Sequence, residues 1–124
     1  MEQIQTHRDL KVFRLSFDMA MNIFEISKEF PKEEKYSLTN QIRRSSRSVC
    51  GNIAEAFRKR KYSKAFVAKL SDAEGESAET QVWLKFAFEC NYIEYEILNN
   101  YYNSYDHIIG MLVIMAQHPE KWSI

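Results

Sequence analysis

Residues 38–57 read LTNQIRRSSRSVCGNIAEAF. Leu38, Ile42, Val49, Ile53 and Phe57 recur at steps of four and seven, which puts them on one face of an α-helix. Ser37 stands where an N-cap is expected, with an oxygen to satisfy a backbone N–H of the first turn. Between the large residues lie Ser45, Ser46, Ser48, Cys50, Gly51, Ala54 and Ala56. Small side chains let a second helix approach closely. Gly51 in mid-helix costs about 1 kcal/mol relative to alanine, a cost that close packing would explain.

Three more helical segments flank this one. Upstream, residues 10–30 carry Leu10, Phe13, Phe17, Ala20 and Phe24 at helical steps, with a second series of Val12, Met19, Ile23, Ile26 and Phe30. Asp9 is the expected N-cap, and Pro31 ends the segment because proline disfavours a helical residue before it. Downstream, residues 64–90 are capped by Ser63. Phe66, Leu70, Ala73, Ser77, Leu84 and Ala87 follow a seam-like spacing there, and Val67, Trp83, Phe86 and Phe88 add apolar surface. A short turn at Asn91-Tyr92 leads to residues 95–117, with Ile97, Tyr101, Tyr105, Ile108, Leu112 and Met115 as the stripe, and His118-Pro119 closes it. Trp122 and Ile124 end the tail.

Short connections make consecutive helices antiparallel. The expected fold is therefore all-α: one domain, an antiparallel up-down four-helix bundle. Three glycines and two prolines in 124 residues leave too few turn signals for a many-stranded β fold. The first and third helices are apolar around more than half their circumference. One bundle needs only one buried stripe per helix, so the excess predicts that copies of the chain cover each other.

The opening residues carry no basic stretch followed by an apolar run, so no signal peptide is expected. No stretch approaches the roughly 18 apolar residues that span a bilayer. A cytoplasmic protein without membrane contact follows, with Cys50 and Cys90 as reduced, packed thiols. His7, His107 and His118 show no ligand spacing, and no Glu-x-x-His pair occurs, so no metal is expected. No phosphate-cradling glycine loop, GxSxG or other catalytic spacing is present. The expectation is a non-enzymatic protein with no cofactor.

Charge is the remaining signal. The total is zero, yet residues 32–69 hold eleven Lys/Arg against three Asp/Glu, while residues 70–124 hold two against nine. Arg43, Arg44 and Arg47 project from the second helix. Arg58-Lys59-Arg60-Lys61 follow as four consecutive cations, with Tyr62 and Lys64 behind them. Cations at this density attract phosphate backbones, and an adjacent aromatic offers a base a stacking platform. The same residues also suit a solvated helix end. Glu55 on the second helix, and Glu74, Glu76 and Glu79 on the third, are expected to pair with Arg43, Arg44 or Arg47 across an antiparallel helix pair.

These blocks resemble a known family. FPKEEKYSLTNQIRRSS at residues 30–46 continues into SVCGNIAEA at 48–56, and DLKVF opens the chain at 9–13. Phe66, Leu70 and the AEGESAE block at 73–79 complete the likeness. They are similar to the bacterial four-helix bundle proteins encoded in intervening sequences of 23S ribosomal RNA genes, often labelled ribosomal protein S23. Cys50 replaces the family's proline, which softens any kink. Ala56 replaces its glycine, which weakens a helix stop, and Glu76 stands where its serine is usual. The resemblance implies a homo-oligomeric ring, commonly a homopentamer. It also implies kinship with the accessory variability determinant of diversity-generating retroelements, which binds nucleic acid and a reverse transcriptase. Arg43, Arg44, Asn52 and Glu55 fall on family motif positions, with Asn52 and Glu55 expected as hydrogen-bonded contacts between helices. Two functions follow as expectations. One is nonspecific binding of RNA or DNA through Arg43, Arg44, Arg47, Arg58, Lys59, Arg60, Lys61 and Lys64. The other is a protein–protein scaffold whose basic and acidic halves pair between subunits.

Overall fold

The computed structural model describes residues 4–122. Four helices form: α1 (Lys11–Ser27), α2 (Leu38–Arg58), α3 (Ser63–Glu89) and α4 (Tyr95–Gln117). Short 3₁₀ turns cover His7–Asp9, Lys32–Glu34 and Pro119–Lys121. Each helix packs on the next, and α1 meets α4, which closes an all-α four-helix bundle. Met1, at the opening of the chain, and Ile124 in the tail lie outside the described residues.

The α2 stripe is buried as its spacing predicts: Ile42, Val49 and Ile53 are fully enclosed, and Leu38 and Phe57 nearly so. Across from it, α3 buries Phe66, Leu70, Ala73, Ser77, Leu84 and Ala87. The seam between them is lined by small side chains. Within it the Ser45 and Thr80 hydroxyls share a 2.8 Å hydrogen bond, and both also reach carbonyls of their own helices. These buried polar groups are therefore paired, as burial demands.

The reading of α1 needs correction. Its core face takes Val12, Met19 and Ile23 from the second series, Leu10 and Ala20 from the first, and Ser16. Phe13 and Phe24 are only half-buried, and Phe17 is 50% exposed. Two overlapping series offered two faces, and the direction of α2 and α4 chose between them. The helix also stops at Ser27, three residues before the expected end. Glu29 N–H and Phe30 N–H bond to Ile26 and Ser27 carbonyls in tight i→i+3 turns, which drop Phe30 into the core at 7% exposure.

The caps differ from expectation as well. Asp9 reaches backward: its carboxylate accepts from Gln5 N–H (2.9 Å) and Thr6 N–H (3.0 Å). Those donors hold its pKa below the usual carboxylate range. Leu10 occupies the N-cap of α1 and Tyr62 that of α3, each without a side-chain cap. Ser63 is the first residue of α3. Ser37 does precede α2, but its hydroxyl donates to the Glu34 carboxylate at 2.6 Å, and Glu34 itself accepts from Leu38 N–H at 3.3 Å. Glu34 also accepts from the Tyr92 hydroxyl at 2.8 Å. Tyr92 is placed by a Schellman-type stop of α3. Asn91 takes a left-handed φ of 65°, and Tyr92 N–H and Asn91 N–H bond to the Ala87 and Phe88 carbonyls. One carboxylate thus ties the α1–α2 connection, the start of α2 and the α3–α4 turn together.

α2 runs unbroken through Cys50 and Ala56 to Arg58. Cys50 is half-buried and its thiol is pushed up to about 11 by burial. Cys90, expected to be packed, is exposed at the end of α3. Gly51 is also exposed, and a Cβ built there meets nothing within 4 Å. Close packing within the chain therefore does not explain it.

Two outcomes follow. Gly51→Ala raises stability by about 1 kcal/mol in urea unfolding, because alanine is the better helix former and has room. An equal or lower midpoint would contradict the open environment of that position. Glu34 has its pKa lowered from the ordinary 4.5 by the Ser37 and Tyr92 hydroxyls. A lowered acid stabilises above its unfolded pKa and loses that contribution as pH falls through the folded value. Glu34→Gln is therefore less stable than the parent chain at neutral pH, and the gap closes on acidification below 4.5. A gap independent of pH would contradict the assignment.

Candidate nucleic-acid interface

Successive residues of a helix point about 100° apart, since 3.6 residues make a turn. Arg43 and Arg44 therefore leave α2 toward different neighbours, while Arg47 returns one turn later beside Arg43. The structure gives each a different task. Arg44 reaches α3, where one amino nitrogen contacts both Glu79 oxygens at 2.9 Å and the other lies 3.4 Å from Glu76. Glu79 holds the guanidinium more firmly protonated. Burial raises the Glu76 pKa against the opposing pull of Arg44. Arg44 is thus engaged between helices, in the expected α2–α3 ion pair.

Arg43 and Arg47 turn toward α1. Arg43 Nε donates to the Ser27 hydroxyl at 2.7 Å, and its guanidinium lies 4.8 Å from the Phe24 ring centre. Arg47 lies 5.8 Å from the same ring, and Lys28 Nζ lies 4.8 Å from it. Phe24, read from the sequence as core, is the shared support for three cations. Stacking on an aromatic face steadies a guanidinium without neutralising it. Lys28 has a partner in Glu25 at 3.2 Å. For Arg43, Arg47 and Lys35 the described residues contain no carboxylate within 4.0 Å.

The second basic run lies at the other end of α2. Arg43 and Lys59 are sixteen positions apart, about 24 Å along a helix. The structure therefore does not bring the two groups together on one chain. Arg58, Lys59, Lys61 and Lys64 are exposed. Arg60 folds back: its guanidinium sits 3.6 Å from the Phe57 ring centre and Nε donates to the Phe57 carbonyl at 2.9 Å. Desolvation lowers its pKa. Lys61 Nζ lies 5.4 Å from the ring of Tyr62, which is 62% exposed.

The remaining motif residues divide. Glu55 pairs with Lys69 of α3 at 2.9 Å, a contact between helices. Among the described residues Asn52 makes no such contact: its amide donates to the Ser48 carbonyl one turn back in α2. Glu74 forms no ion pair within the described residues. Lys28, Lys35 and Tyr36 were missed as candidates. All three belong to the α1–α2 connection: Lys28 is brought to Arg43 and Arg47 by the packing of α1 on α2 through Phe24, and Lys35 and Tyr36 by their place just before α2.

Among the described residues no group of three His, Cys, Asp or Glu is placed to hold a metal ion, and no helix is long and apolar enough to cross a membrane. Residues 8–113 match the family described as 23S rRNA-intervening sequence protein. Among solved structures, the chain is similar to a protein of unknown function from the S23 ribosomal protein family of Bacteroides thetaiotaomicron. The two share 29% identity over 86% of this chain and 95% of that one, with a TM-score of 0.77. No curated protein matches the chain. The match over most of the sequence, with the four-helix fold beneath it, makes this chain a member of the 23S rRNA-intervening sequence protein family.

Proposed function

We propose that the protein is a non-enzymatic, homo-oligomeric nucleic-acid-binding protein of the cytoplasm that holds phosphates through cations on and beside α2. The observation that carries this reading is the arrangement around Phe24. Arg43 is held by an aromatic ring and a serine hydroxyl, and Arg47 lies over the same ring, neither of them paired with a carboxylate among the described residues. Their charge is therefore left for an external anion. Arg58, Lys59, Lys61 and Lys64 add a second cationic surface at the far end of the helix. Such surfaces hold the backbone of RNA or DNA and read no base sequence.

Self-assembly enters through apolar surface. Phe17 and Met21 on α1 are 50% and 47% exposed, and Val82 and Phe86 on α3 are 49% and 53% exposed. Two such faces on different sides of the chain favour a head-to-tail ring, with a homopentamer as the expected size. A ring repeats the cationic surfaces and multiplies their effect on one polymer. The partner class that fits the sequence resemblance is a reverse transcriptase or another protein acting on the same nucleic acid.

The scaffold reading, in which basic and acidic halves pair between subunits, has less to work with. Glu76 and Glu79 are taken by Arg44, and Glu55 by Lys69, within one chain.

Binding of a labelled RNA or DNA, followed by polarization, should weaken steeply with salt. Changing Arg58, Lys59 and Lys61 together to glutamine should lower affinity and reduce the log–log salt slope by about one for each phosphate that is no longer neutralised. Light scattering at micromolar concentration should give a mass above that of one chain both before and after the change. No binding at low salt would remove the nucleic-acid reading. A mass that drops when the cluster is neutralised would favour the scaffold.

A further inference from the structure

The solvent side of α2 and the α1–α2 connection enclose a shallow groove of about 720 Å³. Lys35, Tyr36, Asn40, Arg43, Arg44, Arg47 and Gly51 are among the residues that line it. Tyr36 stands out as the most exposed large apolar side chain of the described residues, at 84%. An aromatic ring so far in water loses the gain that burial would bring. Its backbone, however, is held firmly. Lys35 N–H and Ser37 N–H bond to the Lys32 and Glu34 carbonyls at 3.1 and 3.0 Å, and the Ser37 hydroxyl is fixed on Glu34. The ring is presented on a rigid support, with Lys35 Nζ 5.2 Å from its centre. Gly51, with open space where a Cβ would stand, leaves the other end of the groove clear.

Resting on the nucleic-acid reading, we infer that this groove takes a single-stranded segment of nucleic acid, with one unpaired base stacked on Tyr36 and the adjoining phosphates on Arg43, Arg47 and Lys35. Two kinds of group therefore meet in one groove. Cations alone would serve any polyanion, including a duplex or an acidic peptide. A platform ring beside them serves a base whose face is open, which a duplex keeps inside its own stack. Phe24 and the Ser27 hydroxyl steady the Arg43 guanidinium before the ligand arrives. Asn40 offers the groove a polar side chain, and Arg44, at the groove's edge, has its charge engaged by Glu76 and Glu79.

The test compares three fluorescent probes at one low salt concentration: a single strand, an abasic strand of equal length and charge, and a duplex of the same sequence. The proteins are the full chain, Tyr36→Ala and Tyr36→Trp. The full chain should bind the strand with bases about tenfold more tightly than the abasic strand, the size expected of one stacked base. Tyr36→Ala should remove that preference and leave duplex affinity within about twofold, while Tyr36→Trp keeps the preference. Binding of all three probes with no preference for bases, or a preference that survives Tyr36→Ala, would overturn the groove and leave the nucleic-acid reading standing. Failure of the full chain to bind any probe would overturn both.

Discussion

The pairing of α2 with α3 governs the rest of the molecule. Small side chains let the two helices close, and the Ser45–Thr80 hydroxyl bond fixes their register inside the seam. At the seam's edge Arg44 grips Glu79 with both carboxylate oxygens and touches Glu76. An ion pair this exposed contributes only about 1 kcal/mol. Its larger consequence is geometric. With Arg44 held toward α3, the helical step of about 100° turns Arg43 toward α1, and Arg47 falls between the two, nearer to Arg43. Phe24 of α1 receives them.

The two ends of the bundle are built differently. At the α1–α2 end, Glu34 collects the Ser37 hydroxyl, the Leu38 N–H and the Tyr92 hydroxyl. The Tyr92 pKa is pushed up to about 12 by donating to that carboxylate. This end is tied down by short, charge-assisted bonds, and it presents Tyr36 and Lys35 from a fixed backbone. At the α2–α3 end, charge repels charge. Arg60 escapes by stacking on Phe57, while Arg58, Lys59 and Lys61 stay in water. One end is preorganised, and the other is an adaptable collection of cations.

Much of this was legible in the sequence, and unevenly so. The α2 and α3 stripes could be read because their large residues repeat in one register with small or polar residues between them. α4 was bounded by its turn and by His118-Pro119. α1 was misread because Phe13, Phe17 and Phe24 follow helical spacing as well as Val12, Met19 and Ile23 do. Hydrophobicity alone favours the phenylalanines. Which face is buried depends on neighbours that one helix cannot reveal. The caps failed for a related reason. Asp9 bonds backward and Glu34 acts from a preceding turn, whereas a local rule looks only at the residue before the helix. At the site, the density of cations was plain from composition. The separate tasks of Arg43, Arg44 and Arg47 were not, because they depend on a rotation of about 100° and on what stands across from it. Lys28, Lys35 and Tyr36 carried no signal of their own.

On the proposed function, neighbouring arginines divide the labour: Arg44 holds helices together, and Arg47 serves a polyanion. Comparing Arg44→Gln with Arg47→Gln tests it, with urea unfolding and nucleic-acid affinity measured on the same preparations. Arg44→Gln should lower stability by about 1 kcal/mol with affinity unchanged, and Arg47→Gln should weaken binding with stability unchanged. The reverse pattern, or equal loss of affinity in both, would contradict it.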